Sequence, residues 1–185
     1  MIGWLLMALA APALGSADPC ASVGSCRQVG KVRIESADGK ETLLPINQML
    51  PWVVQDNLLL VPGDWIIIRL VEQDGVLMPQ LVKAGDSGEA PEPAKGEIRV
   101  ELHAFDQGNL LMQVLSRRSE TLDYAALAVV GLDKAQPTSV CSLYPGITVY
   151  ESWRWPIRQM VLWGFRPTTD PGCKTIKVKA EKDLK

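Results

Sequence analysis

The densest grouping of chemically versatile side chains is Tyr150-Glu151-Ser152-Trp153-Arg154-Trp155-Pro156-Ile157-Arg158, and half of the six tryptophans fall between Trp153 and Trp163. Indole rings beside guanidinium groups can stack on sugars, aromatic rings or partner side chains, and both residue types are enriched where interfaces concentrate their energy. In an extended chain Glu151, Trp153 and Trp155 share one face, while Tyr150, Ser152 and Arg154 share the other. From Glu151 onward Lys and Arg outnumber Asp and Glu by 8 to 4, so this end suits an anionic partner. Trp153, Arg154, Trp155 and Arg158 are the candidate binding residues. The competing use of the same tryptophans is core filling, with Trp155-Pro156 marking a corner between sheets.

The remaining reactive groups are sparse. A single histidine excludes any site needing two. His103, with Glu101 and Asp106, offers at most a weak divalent-ion grouping on a solvated face. Asp64, Asp74, Asp123 and Asp133 fall at turns or strand ends, and carboxylate-only glycoside hydrolysis needs two acids roughly 5–10 Å apart. No phosphate-cradling glycine loop, dinucleotide fingerprint or calcium-loop pattern occurs. No metal or cofactor is expected.

Gly85-Asp86-Ser87-Gly88 resembles the nucleophile sequence of chymotrypsin-like serine proteases over four residues. The family places its histidine well before the serine, whereas His103 follows Ser87. A turn in an acidic loop accounts for the same residues. The run Leu110–Val130, two strand candidates around Ser119, resembles the strand pairs of periplasmic pilus chaperones over about 20 residues. What that resemblance implies is pairing through an exposed strand edge, with no site residue carried over.

The elements that must position these groups are strands. Glu97-Ile98-Arg99-Val100-Glu101-Leu102-His103-Ala104 alternates polar and apolar residues, as a half-buried strand does. Lys31–Glu35 and Thr175–Lys179 repeat the alternation. Trp65–Val71 is continuously apolar and β-branched around Arg69, which marks a central strand covered on both faces. Further candidates are Leu58–Val61, Val76–Val82, Leu110–Leu115, Tyr124–Val130 and Gln159–Phe165. Asp38-Gly39, Asp74-Gly75 and Gln107-Gly108-Asn109 supply hairpin turns, and Pro62-Gly63, Pro145-Gly146 and Pro171-Gly172 supply further turns. Ile46–Asn57 is the one stretch with room for a helical turn. The pattern predicts an all-β fold, an antiparallel β-sandwich with an immunoglobulin-like Greek key favoured over a jelly roll or barrel. The polar segment 84–96 is expected as an exposed loop, and the charged tail from Ala180 as frayed.

The chain of 185 residues has room for one such domain. Its formal charge of −2 disfavours a nucleic-acid binder, and 47% hydrophobic residues exclude a disordered acidic or basic tail. Residues 1–17 read as a secretory signal with an apolar core from Ile2 to Leu14, too short for the roughly 20 residues of a membrane span. The domain is then 18–185, with no span left after cleavage. Cys20, Cys26, Cys141 and Cys173 form an even set in an exported chain, which predicts disulfides. The nearest-neighbour pairing is Cys20–Cys26 and Cys141–Cys173, although sequence permits three connectivities. The expected protein is therefore a secreted or periplasmic, non-catalytic binding module of the cell envelope, using segment 150–166 on an unknown protein or glycan partner. The alternatives are a secreted hydrolase using carboxylates, and a structural or chaperone-like subunit that pairs through a strand edge.

Overall fold

The computed structural model describes residues 20, 25–35, 40–105, 109–130, 134–154 and 156–175. The signal at 1–17, the tail from Ala180, Asp38-Gly39, Asp106, Asp133 and Trp155 lie outside the described residues.

Every element among the described residues is a strand, and each strand pairing is antiparallel. The predicted strands appear as β1 (Cys26–Glu35), β4 (Asn57–Leu60), β5 (Trp65–Gln73), β6 (Val76–Gly85), β7 (Glu97–Phe105), β8 (Asn109–Ser116), β9 (Leu122–Val130) and β12 (Ile157–Pro167). Of the candidate Thr175–Lys179, only Thr175 is described, as the end of β13 (Cys173–Thr175). The region expected to hold a helical turn is instead β2 (Glu41–Pro51) and the short β3 (Val53–Val54). Pro45 and Pro51 lack the N–H groups a helix needs, and pairing with β1 supplies partners for the rest of the backbone. Two strands were not anticipated: β10 (Lys134–Cys141), which carries Pro137, and β11 (Thr148–Trp153).

Two sheets form the sandwich. One has the order β13-β10-β9-β12-β4-β3 and the other β11-β8-β7-β5-β6, while β1 and β2 make a separate hairpin. The alternation read in the sequence places Leu58, Leu60, Met160, Leu162, Tyr124 and Ala126 of the first sheet against Ile66, Ile68, Ile98, Leu102, Met112 and Val114 of the second. Each large apolar side chain buried in this way stabilises the fold by roughly 1.5–3 kcal/mol. At the hairpin between β5 and β6, Asp74 and Gly75 both take positive φ (52° and 80°), the twist that Asp-Gly supports.

Strand β5 is covered on both faces, as its composition predicted. Ile66 and Ile68 face the core, while Trp65 and Ile67 are buried on the outer face. Residues 86–89 of the polar segment are exposed, but Ala90 and Pro93 are buried. The Trp65 indole donates to the Ser87 carbonyl (3.1 Å) and the Ala94 N–H donates to Glu97 (2.9 Å), so both ends of the segment are tied to the sheet.

The hairpin is fixed by a buried cation. Arg27 forms an ion pair with Asp64 and lies 3.6 Å from the Trp52 ring centroid. It also donates to the carbonyls of Pro51 and Leu59, both at 3.3 Å. Val29 and Val32 complete the junction by packing with Val61. Two disulfides staple the ends, Cys20–Cys26 and Cys141–Cys173, which is the nearest-neighbour pairing. Their presence suits an oxidising compartment.

Candidate functional site

Segment 150–166 divides along the faces that strand alternation dictates. Trp153 is only 8% exposed, packs into the core and donates from Nε1 to Thr138 Oγ1 at 2.5 Å. Its ring therefore fills the core and presents no platform to solvent. Phe165 is also buried and stacks on Tyr124, with centroids 5.7 Å apart and planes within 9°. Arg154 is exposed, and Arg158 is half-buried with no partner on its Nε. Glu151 turns inward with Trp153. Burial raises its pKa, against a 2.5 Å hydrogen bond from the Cys141 N–H.

Among the described residues of this segment, the exposed aromatic is Tyr150, 62% exposed on the opposite face of β11. The signal for it in the sequence is the alternation that puts Tyr150 on the face opposite Glu151 and Trp153. Ile147 is 57% exposed, and Tyr144 is also exposed. These two end a turn closed by the Ile147 N–H on the Tyr144 carbonyl (3.2 Å), with Gly146 at φ 70° after Pro145. Proline at the first central position and glycine at the second suit a type II turn. Tyr144 and Ile147 are thus exposed in the turn that leads into β11, and Tyr150 is exposed on β11 itself, the strand at one end of the five-stranded sheet.

That edge is open. Gly146 N–H donates to the Ser116 carbonyl (2.8 Å), so Ser116 turns its backbone toward the β11 side. In an antiparallel pair successive residues alternate in the direction of their backbone groups. With Val149 opposite Val114 and Glu151 opposite Met112, alternation commits Val149, Glu151 and Trp153 to the ladder with β8. The N–H and C=O groups of Thr148, Tyr150 and Ser152 point away from it, and no described strand pairs with them.

Two of the other sandwich edges are blunted. β3 has 2 residues. β6 is longer, but Pro79 interrupts it and Lys83 lies exposed near its end. Proline, lysine and short length are the devices by which edges resist pairing. β11 has no proline or lysine, and its one charged side chain, Glu151, turns inward onto the Cys141 N–H.

A second feature is a groove of about 430 Å³ between segment 84–96 and the outer face, lined by Glu89, Glu92, Arg99, Glu101 and Gln113 among others. Its charges are tied to one another. Arg99 Nε donates to Glu101 at 2.8 Å, and Arg99 also pairs with Glu92 (3.4 Å). His103 Nε2 lies 3.3 Å from the second Glu101 oxygen. Glu101 and His103 are thus neighbours, but no group of three or more metal-ligating side chains occurs among the described residues. Ser87 has Asp86 as its near side-chain neighbour (3.5 Å), while His103 turns to Glu101. The protease-like tetrapeptide is an exposed bend.

Two buried acids have different surroundings. Burial raises Asp64 to about 6, against the opposing pull of Arg27 and a hydrogen bond from the Val61 N–H (2.6 Å). Burial also acts to raise Asp123, but the Ser142 hydroxyl (2.5 Å) and the Lys174 ammonium (3.0 Å) outweigh it and hold Asp123 below the usual carboxylate range. Both acids brace the fold: Asp64 at the hairpin, Asp123 beside the Cys141–Cys173 bridge.

No family model, curated protein or solved structure matches the chain.

Proposed function

We propose that this chain is an exported, non-catalytic interaction domain of the cell envelope, and that it binds by accepting an extended strand along β11. The single observation that carries the reading is the contrast between β11, an edge with no proline or lysine and with exposed Tyr144, Ile147 and Tyr150 in and just before it, and the blunted edges at β3 and β6. Main-chain hydrogen bonds from Thr148, Tyr150 and Ser152 would supply affinity. Tyr144, Ile147 and Tyr150 would select apolar side chains on the incoming strand. Two disulfides support a site of action outside the cytosol, and so does the apolar N-terminal run. Segment 150–166 keeps its role through Tyr150, Ser152 and Arg154, with Trp153 as the core anchor of the strand. In the polar groove, Glu92 and Glu101 both bind Arg99, an arrangement that favours holding segment 84–96 over hydrolytic chemistry.

Ser152→Pro tests the reading, because it removes an outward N–H while leaving the ladder to β8 intact. The disulfide-bonded protein and the variant are each cross-linked in envelope extracts and compared. Loss of the cross-linked species in the variant, with unchanged circular dichroism, is the expected result. Capture of the same species by both proteins would remove β11 from the interaction.

A further inference from the structure

We infer that the strand accepted by β11 is β11 of a second copy, paired antiparallel about a two-fold axis through Tyr150. The inference rests on the proposed use of this edge and names its occupant. A symmetric pairing of a strand with itself has few registers. Directly opposed residues share a face, so the two residue numbers of each pair must sum to an even value. Centring on Glu151 sets two carboxylates opposite each other, and like charges directly opposed destabilise a sheet. Centring on Tyr150 places Tyr150 against Tyr150 of the second copy and Thr148 against Ser152 of the second copy. All three residues whose N–H and C=O groups point outward are then satisfied reciprocally.

Side-chain chemistry agrees with this register. The outer face gains an aromatic pair flanked by two hydroxyl pairs, both favourable cross-strand combinations. No charged residue lies on that face of β11, whose outward side chains are Thr148, Tyr150 and Ser152. Tyr144 and Ile147, exposed just before β11 in each copy, fall at the end of the pair where Arg154 of the other copy sits, and a guanidinium there can cover an aromatic ring. The pairing is isologous, so it closes at two copies. At the far end of the same sheet, Pro79 of β6 blocks further growth into a filament.

The test uses the disulfide-bonded protein alone, at concentrations spanning its dissociation range, with sedimentation as the readout. A dimer is expected, and Ser152→Pro should weaken it by at least about a hundredfold through the lost edge hydrogen bonds. Tyr150→Cys should form a covalent dimer with oxidised glutathione, since hydrogen-bonded antiparallel pairs hold Cα atoms about 5.5 Å apart, within disulfide reach. Thr148→Cys should not, because the two copies of that position lie about 13 Å apart in this register. A dimer that survives Ser152→Pro, or equal cross-linking at positions 148 and 150, overturns the inference. If the protein stays monomeric yet loses its envelope cross-link on Ser152→Pro, the occupant is wrong and the function of the edge stands. If it stays monomeric and the cross-link is unaffected, both fail.

Discussion

The indole of Trp65 occupies the space that a side chain at position 85 would need: a Cβ on Gly85 would lie 2.6 Å from the Trp65 ring. The two residues are cross-strand partners on the outer face, where β6 runs out into segment 86–96. Glycine at the end of β6 therefore lets a tryptophan lie flat under the chain and donate to the Ser87 carbonyl.

Gly85→Ala is expected to destabilise the protein by about 1–3 kcal/mol, the range for overpacking a well-filled site. Urea denaturation gives the value directly. The Trp65 ring is large and held at Nε1, so it cannot yield as a flexible side chain would. An unchanged midpoint would show that the ring moves freely and that segment 84–96 is not pinned there.

Tyr124 is buried, its hydroxyl has no hydrogen-bond partner among the described residues, and burial raises its pKa well above the ordinary tyrosine range. An unpaired buried hydroxyl costs about 1–3 kcal/mol. Tyr124→Phe removes that penalty and keeps the ring stacked on Phe165. The variant should melt a few degrees higher, and calorimetry measures the difference. A lower melting point would mean that the hydroxyl has a partner, such as an ordered water.

The two disulfides should contribute unequally. Cys141–Cys173 joins residues 32 apart in sequence and Cys20–Cys26 joins residues 6 apart. Loop-closure entropy then gives roughly 3–4 kcal/mol for the first and about 1.5 kcal/mol less for the second. Paired Cys→Ala substitutions, compared by denaturant midpoint, should show the larger loss for 141 and 173. Removing that bridge also loosens β13, where Lys174 supports Asp123. Equal losses would point to the junction near Cys26 as the more constrained end.

Strand positions were legible in the sequence wherever one face is wet and the other dry, as in β7, because alternation then records burial directly. The β5 run was legible for the opposite reason, since burial on both faces leaves no polar position among its first four residues. β10 and β11 escaped notice because Pro137 and the mixed Thr148–Trp153 run show neither pattern. β2 is not legible from local pattern because the stretch 46–51 alternates poorly and its partner β1 lies well upstream, Gln48 pairing with Val29 and Leu50 with Arg27. The site was only half legible. Among the described residues of the tryptophan-rich segment, the exposed aromatic is Tyr150, and which face meets solvent depends on the long-range pairing of β11 with β8. That β11 is an edge is a property of the whole sheet order, which no local window contains.

The Asp64 carboxyl gives a pH dependence whose sign follows from burial. Its pKa rises from 3.8 to about 6 in the fold, chiefly by desolvation. Between roughly pH 4 and pH 6 the folded protein holds a proton that the unfolded chain has released, so folding takes up protons in this window. Stability from this group is therefore fully present below about pH 4, is lost as pH rises through 6, and is flat above that. At about 1.4 kcal/mol for each pH unit of displacement, the loss is on the order of 2–3 kcal/mol. Asp123 and Glu120, whose pKa values are lowered, act in the opposite sense, and only as pH falls through their own range. Glu151 is raised by burial and adds to the Asp64 trend. Asp64→Asn cannot titrate, so it separates the contributions. Urea denaturation of both proteins near pH 4 and near pH 6.5 should show a steeper decline for the parent than for the variant. Parallel lines would place the proton elsewhere and leave the Arg27–Asp64 pair ionised throughout the range. In either case the comparison reads the slope, so any uniform destabilisation from leaving Arg27 without its carboxylate cancels between the two pH values.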